Sequence, residues 1–532
     1  MFRLLTPICL FGMVAVLSAA EGPPNIVVIL FDDMGFSDFG CYGGEIETPN
    51  IDRLAENGLR FTQFYNTTRC WPTRTALTTG FYPQQVRSDP PKGKLPLGTA
   101  LIPHYLQTVG YRCYHSGKWH VPGANRPVAD GGFNRSYEMY DYDRNFYPQL
   151  HKEDGKPLPA VNPDDNGGYY TTTFITEKLL GYLREHGRQQ PHTPFFAFAA
   201  YTVPHFPLQA PQEIIDKYRN RYSEGWDSVR QKRFDNLTQA GIVHTLLSPR
   251  DENVGPPYGF NNLGAIGPGE VARPVAWDTL SDVQRAFQAE KMAIHAAMVD
   301  CADREIGRIV GYLRENDLLD NTAIFVLSDN GCSAEIMIRG DGHDPEAAPG
   351  SGKSFLCLGP GWSTASNTPF RLHKVWVNEG GISTPLIVHW PKGISEAMRG
   401  NLRYEPGHVI DLLPTFIAMS GASSEPNKSG LPLSGKSLLG AIRSETPQTM
   451  EEFHERDLYF SHEGNRAIRS GNFKAVSVSQ DRQGDGNWQL YDLSVDRAET
   501  TDLAAEHPEK LRELTEKWEA TTKRFAAESE RP

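Results

Sequence analysis

The sequence is short of cysteine, with seven in 532 residues, and one of these, Cys9, falls inside the first twenty. The other six, Cys41, Cys70, Cys113, Cys301, Cys332 and Cys357, are too scattered for the disulfide framework that compensates small extracellular domains for a thin core, and their spacing assigns no pairs. Basic residues are also in deficit. Lysine and arginine total 53 against 65 acids, a net charge of −12. Nucleic acid is therefore not an expected partner, and any anionic ligand must be met by a local basic pocket. Beyond residue 20 no apolar run reaches the roughly 20 residues of a bilayer span, so no stable membrane insertion is expected. Internal repeats are missing as well, and 39% apolar with 22% charged residues excludes disorder as the default state.

The amino terminus does carry one apolar run. Arg3 precedes it, Leu4 to Leu17 form it, and Ser18, Ala19 and Ala20 follow with small side chains. That is the pattern of a signal peptide over residues 1–20, and Thr6, Pro7 and Gly12 make it a poor anchor helix. A secreted or periplasmic location is expected. The remaining length exceeds one ordinary core, which predicts a large domain over 21–445 and a smaller one over 446–532. Five continuous apolar runs, Asn25 to Phe31, Tyr111 to His115, Phe195 to Ala200, Ala323 to Ser328 and Leu386 to Trp390, suit strands covered on both faces. Helices are expected between them: one framed by Thr48 as cap, Pro49 and Gly58, another from Val283 to Leu313. The fold class is thus α/β, a sheet sandwiched by helices. After a polar connector from Ser420 to Thr449, shorter alternating strands (Ala467 to Val476, Trp488 to Leu493) and a charged helix from Pro508 to Arg524 predict an α+β unit with an antiparallel sheet and a packing helix. The long segments Gly123 to Gly168 and Gly331 to Thr368 are expected to be binding loops.

The most informative stretch is Cys70-Trp-Pro-Thr-Arg74-Thr-Ala-Leu-Thr-Thr-Gly80. Pro72 suits the first turn of a helix that Gly80 ends, which puts Cys70 at the helix start, where unpaired amides favour an anion. Arg74 falls on the same side of that turn. Two acidic pairs, Asp32-Asp33 and Asp329-Asn330, each follow an apolar run. Strand neighbours point to opposite faces, so both members of a pair converge only where the strand has ended. Three carboxylates and an amide oxygen make a hard donor set suited to Ca²⁺ or Mg²⁺. Each feature alone has a plain structural alternative, a buried cysteine or a turn cap, and it is their combination that points to chemistry.

Cys70-x-Pro72-x-Arg74 with Leu77 and Gly80, taken with Gly117-Lys118-Trp119-His120, Pro204-His205-Phe206-Pro207, Ser328-Asp329-Asn330-Gly331, Lys374 before Glu379-Gly380-Gly381, and His408 to Thr415, resembles the type I sulfatases of the alkaline phosphatase superfamily. The resemblance covers most of the chain. It implies a large mixed, mostly parallel sheet, and conversion of Cys70 to formylglycine (3-oxoalanine) by a transiently bound maturation enzyme. It also implies a hydrated aldehyde whose one hydroxyl attacks sulfur and whose other, once deprotonated, ejects sulfate, an exit that plain serine or cysteine lacks. One Ca²⁺ would be bound by Asp32, Asp33, Asp329, Asn330 and residue 70. Lys118 and Lys374 would contact sulfate, His120 would assist the diol, His205 would protonate the leaving alcohol and Asp329 would accept the first proton. The segment Trp362 to Arg371 resembles the bacterial arylsulfatase branch, so the implied substrate is an aryl or carbohydrate sulfate ester. His115, His295, His343, His373 and His408 are assigned to structural or peripheral places, with His343 and His373 near enough to functional segments to touch substrate. Tyr137, Tyr140, Tyr142, Phe146 and Tyr147 either stack on a sugar or aryl ring or pack their loop down. Two alternatives stand beside sulfate hydrolysis: a phosphonate or phosphate ester hydrolase of the same superfamily, and an unmatured binder of sulfated polysaccharide.

Overall fold

The computed structural model describes residues 22–162, 168–338, 342–446 and 456–531. The expected leader lies outside them, as does part of the connector. Eleven strands form the main sheet: β1 (Asn25–Asp32), β2 (Leu59–Tyr65), β3 (Arg112–Lys118), β4 (Arg135–Met139), β5 (His151–Glu153), β6 (Lys156–Pro157), β7 (Phe195–Pro204), β8 (Thr322–Ser328), β9 (Ser383–His389), β10 (Leu402–Arg403) and β11 (Gly407–His408). Their spatial order is β10, β2, β9, β8, β1, β7, β3, β4, β5, β6, with β11 also on β2. Strands β8, β1, β7, β3 and β4 run parallel. Strand β9 is reversed between β8 and β2. One rim of the sheet therefore collects the carboxyl ends of β1, β2, β3, β7 and β8 together with the amino end of β9.

The continuous apolarity of these strands follows from burial on both faces. Val27, Ile29 and Phe31 of β1 enter one core, where they meet the helices Thr171–Gln189 and Asp282–Glu315. Ile26, Val28 and Leu30 enter the opposite core, against the helices Cys70–Thr79 and Leu412–Ser420. The expected sandwich is thus present, and it is mixed and mostly parallel. Six strands, β2, β4, β5, β6, β10 and β11, were not expected from the sequence. In β2, Arg60, Thr62 and Gln63 interrupt the apolar run, because this strand lies near the sheet's margin and pairs with the short β10 and β11.

Local expectations needed two corrections. Thr48 sits before the Pro49–Glu56 helix, but its hydroxyl accepts from the Gly40 amide and donates to Asp52. The helix-start amides of Asn50 and Ile51 bond instead to the Asp303 carboxylate, at 3.1 and 2.8 Å, because a full charge serves the helix dipole better than a hydroxyl does. The stretch Ala467 to Val476 is not one strand. It is the hairpin of β13 (Asn465–Ser470) and β14 (Phe473–Ser477), turned at Gly471 with φ 58°, and with β12 (Asp457–His462) and β15 (Trp488–Asp492) it makes a separate four-stranded antiparallel sheet.

One face of the small sheet packs on the Pro508–Ser529 helix through Ile468, Ala475, Leu490 and Leu514. Its other face, Phe460, Ala467, Val476 and Tyr491, packs on Tyr65, Val377 and Ile382 beside the main sheet. Within the connector, Leu431 and Leu433 pack on Phe81 and Val86. The six cysteines of the described residues are free thiols. Asn66, at 0% exposure, accepts from the Thr68 amide.

Buried Lys474 of β14 joins the two sheets, with Nζ 3.0 Å from Glu379 and 2.8 Å from Glu499. Lys474→Ala leaves Glu499 without a cation. It should cost about 3–5 kcal/mol in denaturant unfolding, and a loss under about 1 kcal/mol would show that the network relaxes at little cost.

Candidate active site

Every expected site residue lies on the collecting rim. Asp32 is the last residue of β1, and Asp33 turns away with φ 66°, which breaks the strand alternation and lets both carboxylates face inward. Asp329 and Asn330 follow β8, and Lys118 ends β3, three residues beyond the end expected for that strand. His120 (φ 52°) follows β3, and His205 follows β7. Cys70 opens the Cys70–Thr79 helix, which no side chain caps. The loop bearing Lys374 is fastened to both neighbours. Its amide bonds Cys332 O at 3.1 Å, the Val375 amide bonds Thr68 O at 3.0 Å, and Thr68 Oγ1 donates to Trp376 O at 2.6 Å. Gly331 is required by this closure, since a Cβ there would lie 1.8 Å from Gly380 O.

Inside the rim, charges interlock. Lys118 Nζ lies 2.6 Å from Asp32 Oδ2, and Lys374 Nζ is 2.8 Å from both Asp33 and Glu335. Arg74 grips Asp329 at 2.9 and 2.8 Å and donates to Lys118 O at 2.5 Å. Asn330 Nδ2 donates to Asp33 Oδ1 at 2.7 Å, and the Asp33 amide bonds Asp329 Oδ1 at 3.3 Å. His205 donates from Nδ1 to Phe206 O and turns Nε2 to 3.7 Å from Asp33. Cys70 Sγ lies 3.4 Å from His120 Nδ1, and the thiol is close enough to act electrostatically on Asp329, Arg74, Lys118 and Lys374. Cys70 is buried, yet its surroundings are ionic.

Electrostatics divide the carboxylates. Burial raises all of them, but Lys118, Arg74 and Lys374 outweigh it at Asp32 and hold that carboxyl below the usual range. Burial and neighbouring acids win at Asp33 and Asp329, which are pushed up. Burial, Lys118 and Arg74 push His120 well below the usual histidine range, so its imidazole is neutral.

The donor set fits a hard divalent cation. Asp32 Oδ1 and Asn330 Oδ1 are buried with no hydrogen-bond partner among the described residues, a costly arrangement unless another ligand completes it. Asp32, Asp33 and His205 bring donor atoms within 4.8 Å of one another. Asp329 is set differently, its carboxylate being engaged by Arg74 and the Asp33 amide.

A sequence model of the sulfatase family matches residues 24–422. The chain belongs to the sulfatase family. It is 32% identical to an uncharacterized sulfatase of Schizosaccharomyces pombe, over 94% of this chain and 93% of that protein. It is 28% identical to the arylsulfatase of Klebsiella aerogenes, over 79% and 92%. The fold is also that of Ps i-CgsB in complex with k-i-k-neocarrahexaose, with a TM-score of 0.65 at 23% identity, covering 96% of this chain and 94% of that one. As a sulfatase, the protein is an enzyme of sulfate ester hydrolysis.

Glu335, Arg69 and Glu463 of this sulfatase site escaped sequence reading, and Tyr142 was read only as one of several loop aromatics. Glu335 is a second carboxylate on Lys374 beside Asp33, and Lys374 and Arg69 draw its carboxyl down to about 2 against the effect of burial. Tyr142 lays its ring 4.1 Å from Lys118 Nζ and contacts the His120 and His205 rings. Arg69 stacks between Trp71 and Tyr258 and pairs with Glu463, which arrives from the small sheet. Only Tyr142 carried a signal, its place in an aromatic loop. Of the histidines held near substrate, His373 is sealed against Ser363 Oγ, and burial drives it down to about 3.

Calcium added to chelator-treated protein should raise its melting temperature, by an amount equivalent to about 2.7 kcal/mol at a hundredfold excess over Kd. Asp32→Ala with Asp33→Ala should erase that shift. An unchanged shift in the double variant would place the ion elsewhere.

Proposed function

We propose that this sulfatase is a formylglycine-dependent, calcium-requiring enzyme of arylsulfatase type that is exported after removal of residues 1–20. The observation that supports it most is the position of Cys70: the head of a helix, 3.4 Å from a neutral histidine, within a ring of Arg74, Lys118 and Lys374. A formylglycine-generating enzyme would act on Cys70 before folding closes the site, because the thiol is only 4% exposed in the folded chain.

Converted to formylglycine, residue 70 would supply a hydrated aldehyde as nucleophile. Held by Asp32, Asp33, Asp329 and Asn330 beside residue 70, Ca²⁺ would add positive charge where a sulfate oxygen sits. The remaining work falls to fixed side chains. Lys118 and Lys374 bring two further positive charges to the anion, preorganised by Asp32, Asp33 and Glu335 so that no reorientation is needed during reaction. Arg74 keeps Asp329 and the end of β3 in register with the nucleophile. His120, neutral and against residue 70, takes a proton from it. His205, with Nε2 3.7 Å from Asp33, would deliver a proton to the departing alcohol oxygen.

The charge balance supports sulfate as the ligand. With every group ionised, Asp32, Asp33, Asp329, Glu335 and Glu463 face Arg74, Lys118, Lys374, Arg69 and Arg482, five charges of each sign. A divalent cation would make the site net positive, which suits an anionic ester.

Two tests follow. Cys70→Ala should abolish hydrolysis of 4-nitrophenyl sulfate with an unchanged melting temperature, and mass spectrometry of the tryptic peptide Cys70–Arg74 from active enzyme should show the aldehyde. A thiol alone in active enzyme removes the mechanism, and faster turnover of a matched aryl phosphodiester removes sulfate as the preferred ester. His205→Ala should slow an alkyl sulfate by about 10²–10⁴ and 4-nitrophenyl sulfate much less, because nitrophenolate leaves without a proton. Equal losses would assign His205 another role.

A further inference from the structure

At the end of the sheet away from the catalytic rim lies a cavity of about 370 Å³ whose lining includes Arg53, Arg314, Arg399, His389 and Asp320. His389 is the last residue of β9, and Ser383, the first, stands on the catalytic rim. Six steps of about 3.3 Å along that strand put the cavity about 20 Å from the rim. No catalytic residue lines it, and three arginines face one acid there in a chain whose net charge is −12.

The arginines are largely uncommitted. Neither Arg53 nor Arg314 pairs with an acid among the described residues, and Arg399 reaches only Glu396, 3.6 Å away and 88% exposed, where solvent screens the contact. Arg53 and Arg314 stand in the last turns of the Pro49–Glu56 and Asp282–Glu315 helices. A helix end takes up about half a charge, so part of each guanidinium's charge is left for another partner. The wall between them is fixed. Asn50 is fastened through Nδ2 to Asp303 at 2.8 Å and packs over Gly307, where a Cβ would come within 2.7 Å of its side chain.

His389, 6% exposed, decides what the cavity can hold. Its Nδ1 lies 3.3 Å from Leu54 O, and because a carbonyl only accepts, Nδ1 carries the proton. Burial, aided by the Arg399 and Arg314 charges and opposed by the Leu54 and Asn57 carbonyls, drives the imidazole down to about 4 and keeps it neutral. Nε2 is then a bare lone pair, buried and without a hydrogen-bond partner among the described residues. Arg399 Nε is a buried donor in the same state, while Nη2 of that residue donates to Pro391 O at 3.2 Å.

A ligand that completes these groups brings negative charge to the arginines and an O–H to Nε2. Sulfate, the product of the reaction, supplies the first and lacks the second. We propose that this cavity is a second anion site, selective for a small anion that carries its own hydroxyl donor, such as hydrogenphosphate or a sugar acid, over sulfate. Its volume falls in the range that encloses small organic ligands.

The test is equilibrium dialysis at about pH 8, far above the range in which His389 takes up a proton. The full-length enzyme is compared with the Arg53→Ala/Arg314→Ala double variant, using labelled phosphate, glucuronate and sulfate in turn at millimolar concentration. The catalytic rim itself attracts anions, so the difference between the two proteins is what is read. The unsubstituted enzyme should bind one more phosphate or glucuronate per chain than the variant, and the same amount of sulfate. Which probe shows the difference distinguishes a phosphate from a carboxylate ligand. Melting temperature and 4-nitrophenyl sulfate turnover should be the same in both proteins, which separates this site from the catalytic one. Equal binding of both hydroxylated probes by the two proteins overturns the site, and a matching loss of sulfate in the variant overturns its selectivity.

Discussion

The structure depends on holding four carboxylates and three cations together out of water. Asp32, Asp33, Asp329 and Glu335 have exposures of 0 to 3%, as do Arg74, Lys118 and Lys374. Buried pairs of this kind contribute little net stability, because desolvation offsets most of the attraction, but removing one partner leaves a charge stranded. The interlock therefore fixes geometry rather than holding the fold up. Each cation bridges elements distant in sequence: Arg74 ties the Cys70 helix to β8 and β3, Lys118 ties β3 to β1, and Lys374 ties the loop before β9 to β1 and Glu335. A sheet whose carboxyl ends gather on one rim is the simplest scaffold that brings such segments together.

This organisation was legible where chemistry and periodicity agreed. Continuous apolar runs gave the central strands, because alternate residues of β1, β7 and β8 enter different cores and every position is covered. The acidic pairs were legible because a strand end is the one place where adjacent side chains can share a direction, and the φ of 66° at Asp33 is that change of direction. The lysines and histidines were assigned through family resemblance, since their residue types alone carry little information.

What stayed hidden depends on contacts between distant segments. Glu335 is an ordinary acid in a loop until Lys374 is seen between it and Asp33. Asp303 caps a helix some 250 residues earlier, which no local pattern encodes. The β13–β14 hairpin was read as one strand because Phe473 to Val476 continue the alternation of Ala467 to Arg469 across a two-residue turn. Non-glycine left-handed positions are equally silent in sequence. Thr68 (φ 64°), His120 (φ 52°) and Val375 (φ 85°) all border the site, and such conformations, about 1–3 kcal/mol each, persist only where surrounding contacts impose them.

The small sheet then has a role beyond covering one side of the main sheet. Its first hairpin delivers Glu463, which accepts from Tyr258 Oη, Arg482 and Arg69 together. Arg69 immediately precedes Cys70 and is stacked on Trp71 and Tyr258, so the small sheet holds one side of the site while the aromatic loop around Tyr142 holds the other. The two sides differ physically. Glu463 fixes its neighbours through charge-assisted hydrogen bonds, which tolerate little displacement, whereas Tyr142 and Tyr147 make ring contacts that tolerate sliding. Change in the loops can therefore reshape the space beside the rim without moving Arg74, Lys118 or Lys374, which buried ion pairs hold in place.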